Sequence, residues 1–136
     1  MATSALVDTG FLVALLSRRD ANHRWAAAQA PRFPPPWISC EAVLSETSHL
    51  LGRRGIPSLA SLLRRGALVC RYRFADDMDA VLKLLEKYSG VPISFADACL
   101  VRMTETLNDP MLLTTDDDFR IYRRHGRQII PCLLPH

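Results

Sequence analysis

The stretch "LLTTDDDFR", residues 112–120, sets Asp116, Asp117 and Asp118 in a row behind an apolar run. Adjacent carboxylates make one another harder to ionise, so three together call for a reason. Capping accounts for two of them, one as the N-cap of a following helix and one favouring its dipole. The third is left over. Other acids stand in comparable places. Asp8 follows Ala5–Val7 directly in "ALVDTGFL" and taken alone reads as an N-cap. Glu46, in "CEAVLSETSHLL", is the i+3 neighbour of Val43 and the i−4 neighbour of Leu50, which puts it on the apolar face of a helix, where a carboxylate needs a partner. Glu41, in the first turn of that helix, is explained by the dipole and by solvent. Asp97 forms the capping pattern S-x-x-D with Ser94 and leans toward the same side as Leu100 and Val101.

Each acid has a structural explanation of its own, but as a set they suggest chemistry. Asp8 and Asp116 follow strands, while Glu46 and Asp97 lie in the opening turns of helices, so all four can meet at one edge of a sheet. Carboxylates gathered in one cleft repel unless a cation sits among them. Hard oxygen donors without His or Cys favour Mg²⁺ or Mn²⁺. Such an ion lowers the pKa of bound water and neutralises charge on a leaving oxygen, and a pair about 3.5–4 Å apart acts on both attacking and leaving oxygens. No nucleophilic Ser or Cys and no His base is then required. Thr9, Ser94, Thr114 and Thr115 supply hydroxyls beside the acids. Because Thr114 and Thr115 alternate across a strand, one of the two faces the site.

The elements that must position these acids alternate between strand and helix. Ala5–Val7 reads as a buried strand, followed by helical "TGFLVALLSRR" and "ANHRWAAAQA", the turn "PRFPPP", and a strand at Trp37–Ser39. Helix returns in "CEAVLSETSHLLGRR" and, after Gly55, in "PSLASLLRRG", where Pro57 suits a first turn. The strand "ALVCRYRF" precedes the well-capped helix "DDMDAVLKLLEKYSG" and the helix "SFADACLVRMTETL". The strand Met111–Thr114, a short helix "DDFRIYRRHG" and an edge strand "QIIPCL" complete the chain. Strands alternating with helices predict a mainly parallel sheet covered on both faces, with ligands outside the carboxyl ends of the strands. Neither an internal repeat nor a linker is visible, so residues 1–136 are expected to form one domain.

Composition restricts the partners. The chain carries a net charge of +3, nearly all of it from arginine, with doublets at Arg18-Arg19, Arg53-Arg54, Arg64-Arg65 and Arg123-Arg124. Arginine's planar fork suits phosphate, and a pI near 8.9 agrees with a nucleic-acid partner. Any single doublet reads first as a solvated helix end. Cys40, Cys70, Cys99 and Cys132 form no C-x-x-C pair and have no His at zinc spacing, so reduced, mostly buried thiols are expected. The longest apolar runs, such as "FLVALL", fall far short of the roughly 20 residues of a membrane span, and no secretory leader is evident. A cytoplasmic protein without a membrane partner is expected.

The ordered set "LVDTGFLVALL", "EAVLSETSHLL", "SFADACLV" and "LLTTDDDF" resembles the PIN-domain nucleases, in particular the VapC-type toxins of toxin-antitoxin pairs. The resemblance runs over almost the whole chain. Residue by residue it implies Asp8, Glu46, Asp97 and Asp116 as an acidic quartet, Asp118 as a possible fifth acid and Thr114 as the accompanying hydroxyl. It further implies a three-layer α/β/α sandwich, Mg²⁺- or Mn²⁺-dependent cleavage of RNA, a homodimer, and inhibition by a cognate antitoxin. Gly10 and Phe11 stand where a small polar residue often follows Asp-Ser or Asp-Thr, here Asp8-Thr9, and Asp117 adds charge the pattern does not require; it reads as solvent-facing.

Three rival readings share parts of this pattern. A receiver domain also gathers aspartates at strand ends, but it needs a lysine after a late strand, and Lys83 and Lys87 share one helix. A di-iron site needs E-x-x-H twice, whereas it occurs here once, at Glu46 and His49. His23, His49, His125 and His136 read as surface residues. The third is a PIN-fold module that binds RNA or protein with little or no catalysis. Trp25 and Phe33 could line a groove for a partner, but core packing is their simpler use.

Overall fold

A computed structural model describes residues 3–136. In chain order the elements are β1 (Ser4–Val7), α1 (Thr9–Leu16), α2 (His23–Gln29), β2 (Trp37–Ile38), α3 (Glu41–Arg64), β3 (Leu68–Val69), α4 (Phe74–Lys87), α5 (Phe95–Glu105), β4 (Pro110–Leu113), β5 (Arg123–Arg124), β6 (Gln128–Ile129) and β7 (Cys132–Leu133). Five strands form a sheet in the order β3-β2-β1-β4-β7, and every neighbouring pair is parallel. Successive residues of a strand point to opposite faces. Ala5, Leu6 and Val7 are all buried, as are Leu112, Leu113 and Thr114, so helices cover the sheet on both sides. Each fully buried leucine there contributes roughly 1.5–3 kcal/mol relative to exposure. Among the described residues no helix is long and apolar enough to cross a membrane.

The mainly parallel α/β architecture is thus the expected one, but the strand expected over "ALVCRYRF" is only Leu68–Val69, with Phe74 already in α4, and further local differences follow. "DDFRIYRRHG" is not a helix: a 3₁₀ turn spans Asp117–Arg120, and the chain then enters an antiparallel hairpin of β5 and β6. His125 and Gly126, with φ of 52° and 80°, supply the left-handed turn that reverses it. The edge strand consequently shrinks to Cys132–Leu133. Pro131 lends only its carbonyl, to Leu112 N–H at 2.9 Å, which agrees with a residue that cannot donate. In α3 the break falls at Gly52, whose φ of 66° suits glycine, and not at Gly55, so Pro57 lies inside the second half of the helix.

Packing settles the aromatic residues near the proline turn. Trp25 and Trp37 both meet Phe11 edge to face, at centroid distances of 5.8 and 5.7 Å. Trp37 Nε1 donates to the Phe33 carbonyl at 2.8 Å. His23 is half-buried, its Nδ1 lying 2.8 Å from the Ala14 carbonyl, whereas His49, His125 and His136 are exposed. All four cysteines are free, Cys40 and Cys99 buried and Cys70 and Cys132 half-buried.

Candidate metal centre

Strand register brings the first two groups together. Val7 pairs with Leu113, so the next residues, Asp8 and Thr114, leave β1 and β4 side by side. Asp8 N–H donates to the Leu113 carbonyl at 3.1 Å. The Thr114 hydroxyl donates to Asp8 Oδ2 at 2.7 Å, and Thr9 N–H donates to Asp8 Oδ1 at 2.7 Å. Asp8 therefore is the N-cap of α1 and also a buried acid at the strand exit. Of the two threonines, Thr114 faces the acids and Thr115 turns toward Gly10, as strand alternation requires.

Asp116 follows two residues later, its backbone N–H donating to Thr114 Oγ1 at 3.0 Å. Its carboxylate accepts from Asp118 N–H at 2.9 Å and so starts the 3₁₀ turn. Asp97 arrives from the opposite direction, at the third position of α5, and completes a capping box with Ser94. Asp97 N–H donates to Ser94 Oγ at 3.0 Å, and the Tyr122 hydroxyl donates to Asp97 Oδ2 at 3.2 Å. The small residues Ala96 and Ala98 on either side are buried and let this helix end approach closely.

Asp8, Asp97 and Asp116 each offer a carboxylate oxygen within 4.8 Å of the others. Asp8 is 5% exposed and Asp97 8%. Burial, opposed by the Thr114 hydrogen bond and reinforced by the nearby Asp97 charge, pushes the Asp8 carboxyl up to about 7. Asp97 is raised as well, first by burial, with Ser94 N–H opposing and Asp116 adding repulsion. Asp118, half-buried beside them, is raised by burial and by Asp116 and Asp117. Hard anionic oxygens, close together and reluctant to ionise, suit a divalent cation of the Mg²⁺ or Mn²⁺ type. Among the described residues this is the one such group of three or more.

Glu46 stands differently from its sequence expectation. It is exposed rather than turned to the core, and Leu50, which marked the same face, is 63% exposed. Val43 and Thr47 fill the buried side of α3, with Thr47 Oγ1 donating to the Val43 carbonyl at 2.7 Å. Glu46 lies outside the cluster of three but is tied to its edge: Thr9 Oγ1 lies 3.2 Å from Glu46 Oε2, one residue from Asp8. Asp117 is exposed, as expected, and pairs with Arg120 at 3.2 Å and His136 at 3.2 Å. Tyr122 was missed. Its ring is fully buried against Tyr88 and Phe119, and the only trace in the sequence is the i, i+3 aromatic spacing from Phe119.

Residues 5–124 match the family model described as the PIN domain. The crystal structure of Mycobacterium tuberculosis VapC20, titled a sarcin-ricin loop cleaving toxin, is similar at a TM-score of 0.76 and 25% identity, over 85% of this chain and 92% of that one. No curated protein sequence shows a significant match. With nearly its whole length accounted for by one family model, the chain belongs to the PIN domain family.

Proposed function

We propose that this protein is a metal-dependent endoribonuclease, the toxin of a toxin-antitoxin pair, and that Asp8, Asp97 and Asp116 hold its Mg²⁺ or Mn²⁺. The observation that carries this is the meeting of those three carboxylates within 4.8 Å at the carboxyl edge of a parallel sheet. A divalent cation bound there supplies Lewis acidity, making a bound water more acidic and offsetting charge on phosphate oxygens. The protein's own groups do the positioning. Thr114 and Thr9 N–H fix the two oxygens of Asp8, Tyr122 and Ser94 fix Asp97, and the 3₁₀ turn fixes Asp116. For Glu46, exposed at the rim and hydrogen-bonded by Thr9, the proposed role is to orient water near the acids, with Asp118 as a second rim carboxylate. Thr9, Ser94 and Thr114 act as supporting groups.

The net charge of +3 and exposed arginines at positions 18, 19, 53 and 54 agree with a phosphate-rich substrate. The likeness to a toxin titled as cleaving the sarcin-ricin loop supports structured RNA as the substrate class. A homodimer and a cognate antitoxin complete the proposal. The rival, a PIN-fold module without catalysis, accounts for each acid as a helix or turn cap but gives no reason for the three to meet. Incubation of RNA with the protein in Mn²⁺, in EDTA, and with Asp97→Asn decides between them. Cleavage is expected only by the unaltered protein with metal; fragments that persist in EDTA would refute the mechanism.

A further inference from the structure

The carboxyl rim of the sheet carries a second feature, one strand over from the acids. β2 lies beside β1, and Cys40 leaves β2 much as Asp8 leaves β1. Neighbouring strands are only about 4.8 Å apart. At this place Cys40, Glu41, Tyr72, Phe74, Phe95 and Cys99 line a cavity of about 210 Å³. Its walls come from the first turn of α3, the segment between β3 and α4, and the start of α5. Phe95 precedes Asp97 by two residues, so one helical turn carries both an acid of the metal cluster and a wall of the cavity.

Three aromatic rings stand in the lining, those of Tyr72, Phe74 and Phe95. Phe95 is 43% exposed, and its ring meets Phe74 edge to face at 5.0 Å. The Tyr72 hydroxyl is shielded from solvent, lies near Asp77, and makes no hydrogen bond of good geometry among the described residues. Glu41 is exposed beside it. An aromatic wall, an apolar floor of two thiols and a few polar groups at the margin together form the pattern by which proteins hold an unstacked base.

We infer that this cavity receives one nucleobase of the substrate strand, flanking the phosphate held at the acids, with its face on Phe95 and its edge toward Glu41. The inference rests on the ribonuclease reading above and adds a specificity determinant to it. The Glu41 side chain offers acceptor oxygens, so it favours a base edge rich in donors, an exocyclic amine or guanine's adjacent N1–H and amine, over uracil, whose single N3–H sits between two carbonyls. Stacking on an aromatic side chain is tolerant of sequence and strengthens binding on the order of tenfold or more per base.

The test uses single-stranded oligoribonucleotides in which 2-aminopurine, a base whose fluorescence falls on stacking, is stepped along the strand. Binding is read with Ca²⁺ present and no turnover, and cleavage is read separately with Mn²⁺. One position next to the cleaved bond should be quenched by the unaltered protein, released by Phe95→Ala and retained by Phe95→Trp. Phe95→Ala should raise KM about tenfold on intact RNA and leave KM unchanged when that position is abasic. A quench indifferent to Phe95, or an equal loss on intact and abasic RNA, overturns the inference. So does a changed sedimentation coefficient with the quench intact, which would make Phe95 a contact between two copies of the chain. Absence of cleavage by the unaltered protein would instead remove the ribonuclease reading, while the quench still decides whether the cavity holds a base.

Discussion

Thr114 Oγ1 lies 2.7 Å from Asp8 Oδ2 and donates its proton to it. The same oxygen accepts from Asp116 N–H at 3.0 Å, so one hydroxyl sets the spacing of two acids. Hydroxyls of this kind, which orient a ligand without binding the ion, are worth roughly 10–100-fold in metal affinity or activity. Thr114→Val keeps the shape and removes both hydrogen bonds. Cleavage in Mn²⁺ should fall by about that factor, with a loss of roughly 1–3 kcal/mol in stability from the unsatisfied buried groups. Thr114→Ser should recover most of both. Full activity in the valine variant, measured as kcat/KM, would show that Asp8 needs no such support.

Asp97 has two duties that two substitutions can separate. Its carboxylate closes the capping box of α5 and also faces Asp8 and Asp116. Asp97→Asn keeps an oxygen for Ser94 N–H and for the Tyr122 hydroxyl but removes the charge. Metal-dependent cleavage should disappear, while thermal stability without metal stays equal or rises as repulsion is relieved. Asp97→Ala removes the cap as well and should lose about 0.5–2 kcal/mol. A metal-dependent activity in the asparagine variant would exclude Asp97 as a ligand.

The inner acids were legible in the sequence because each has a local address: the end of an apolar strand or the third position of a capping pattern. Glu46 shows where periodicity stops being informative. Val43, Glu46 and Leu50 do share a helical spacing, but only Val43 is buried: the chain breaks at Gly52 and Leu50 is 63% exposed, which leaves Glu46 and Leu50 in water. The polar residue buried on α3 is Thr47, one position on, and it satisfies itself on the Val43 carbonyl. Tyr122 was illegible for another reason. After Asp116 the chain has neither a 3.6 nor a 2.0 period, and a residue in a 3₁₀ turn or hairpin finds its partner only through the tertiary fold.

The raised Asp8 carboxyl predicts how the metal-free protein responds to pH. Its folded-state value of about 7 exceeds the ordinary 3.8, so between the two the folded state keeps a proton that the unfolded state releases. Stability should fall as pH rises from about 4 to about 7 and level off above that, a loss of a few kcal/mol. Asp97, raised in the same direction, adds to the slope. Mn²⁺ competes with those protons and should raise Tm most above pH 7, by the mass-action stabilisation of any ligand selective for the folded state. Asp8→Asn should flatten the metal-free slope and shrink the Mn²⁺ shift. A wild-type Tm unchanged over this range would contradict the burial argument.

Gly10 and Thr115 form a second close pair behind the site. A Cβ placed on Gly10 would collide with the Thr115 hydroxyl oxygen and lie 3.2 Å from Thr115 Cβ, so the glycine is there for space, its φ not being one that requires it. This explains the missing small polar side chain after Asp8-Thr9: the room it would fill is taken by Thr115 from β4's end. Gly10→Ala should cost roughly 1–3 kcal/mol as overpacking, and cleavage should drop because α1 carries Asp8 and Thr9 at its start. Thr115→Ala alone should be mild. In the double variant the oxygen is gone, and the remaining Cβ contact can be relieved by a shift of a few tenths of an ångström, so most of the lost stability should return. The double-mutant cycle in urea unfolding reads the coupling directly, and simple additivity of the two single effects would mean that the strain of Gly10→Ala arises elsewhere.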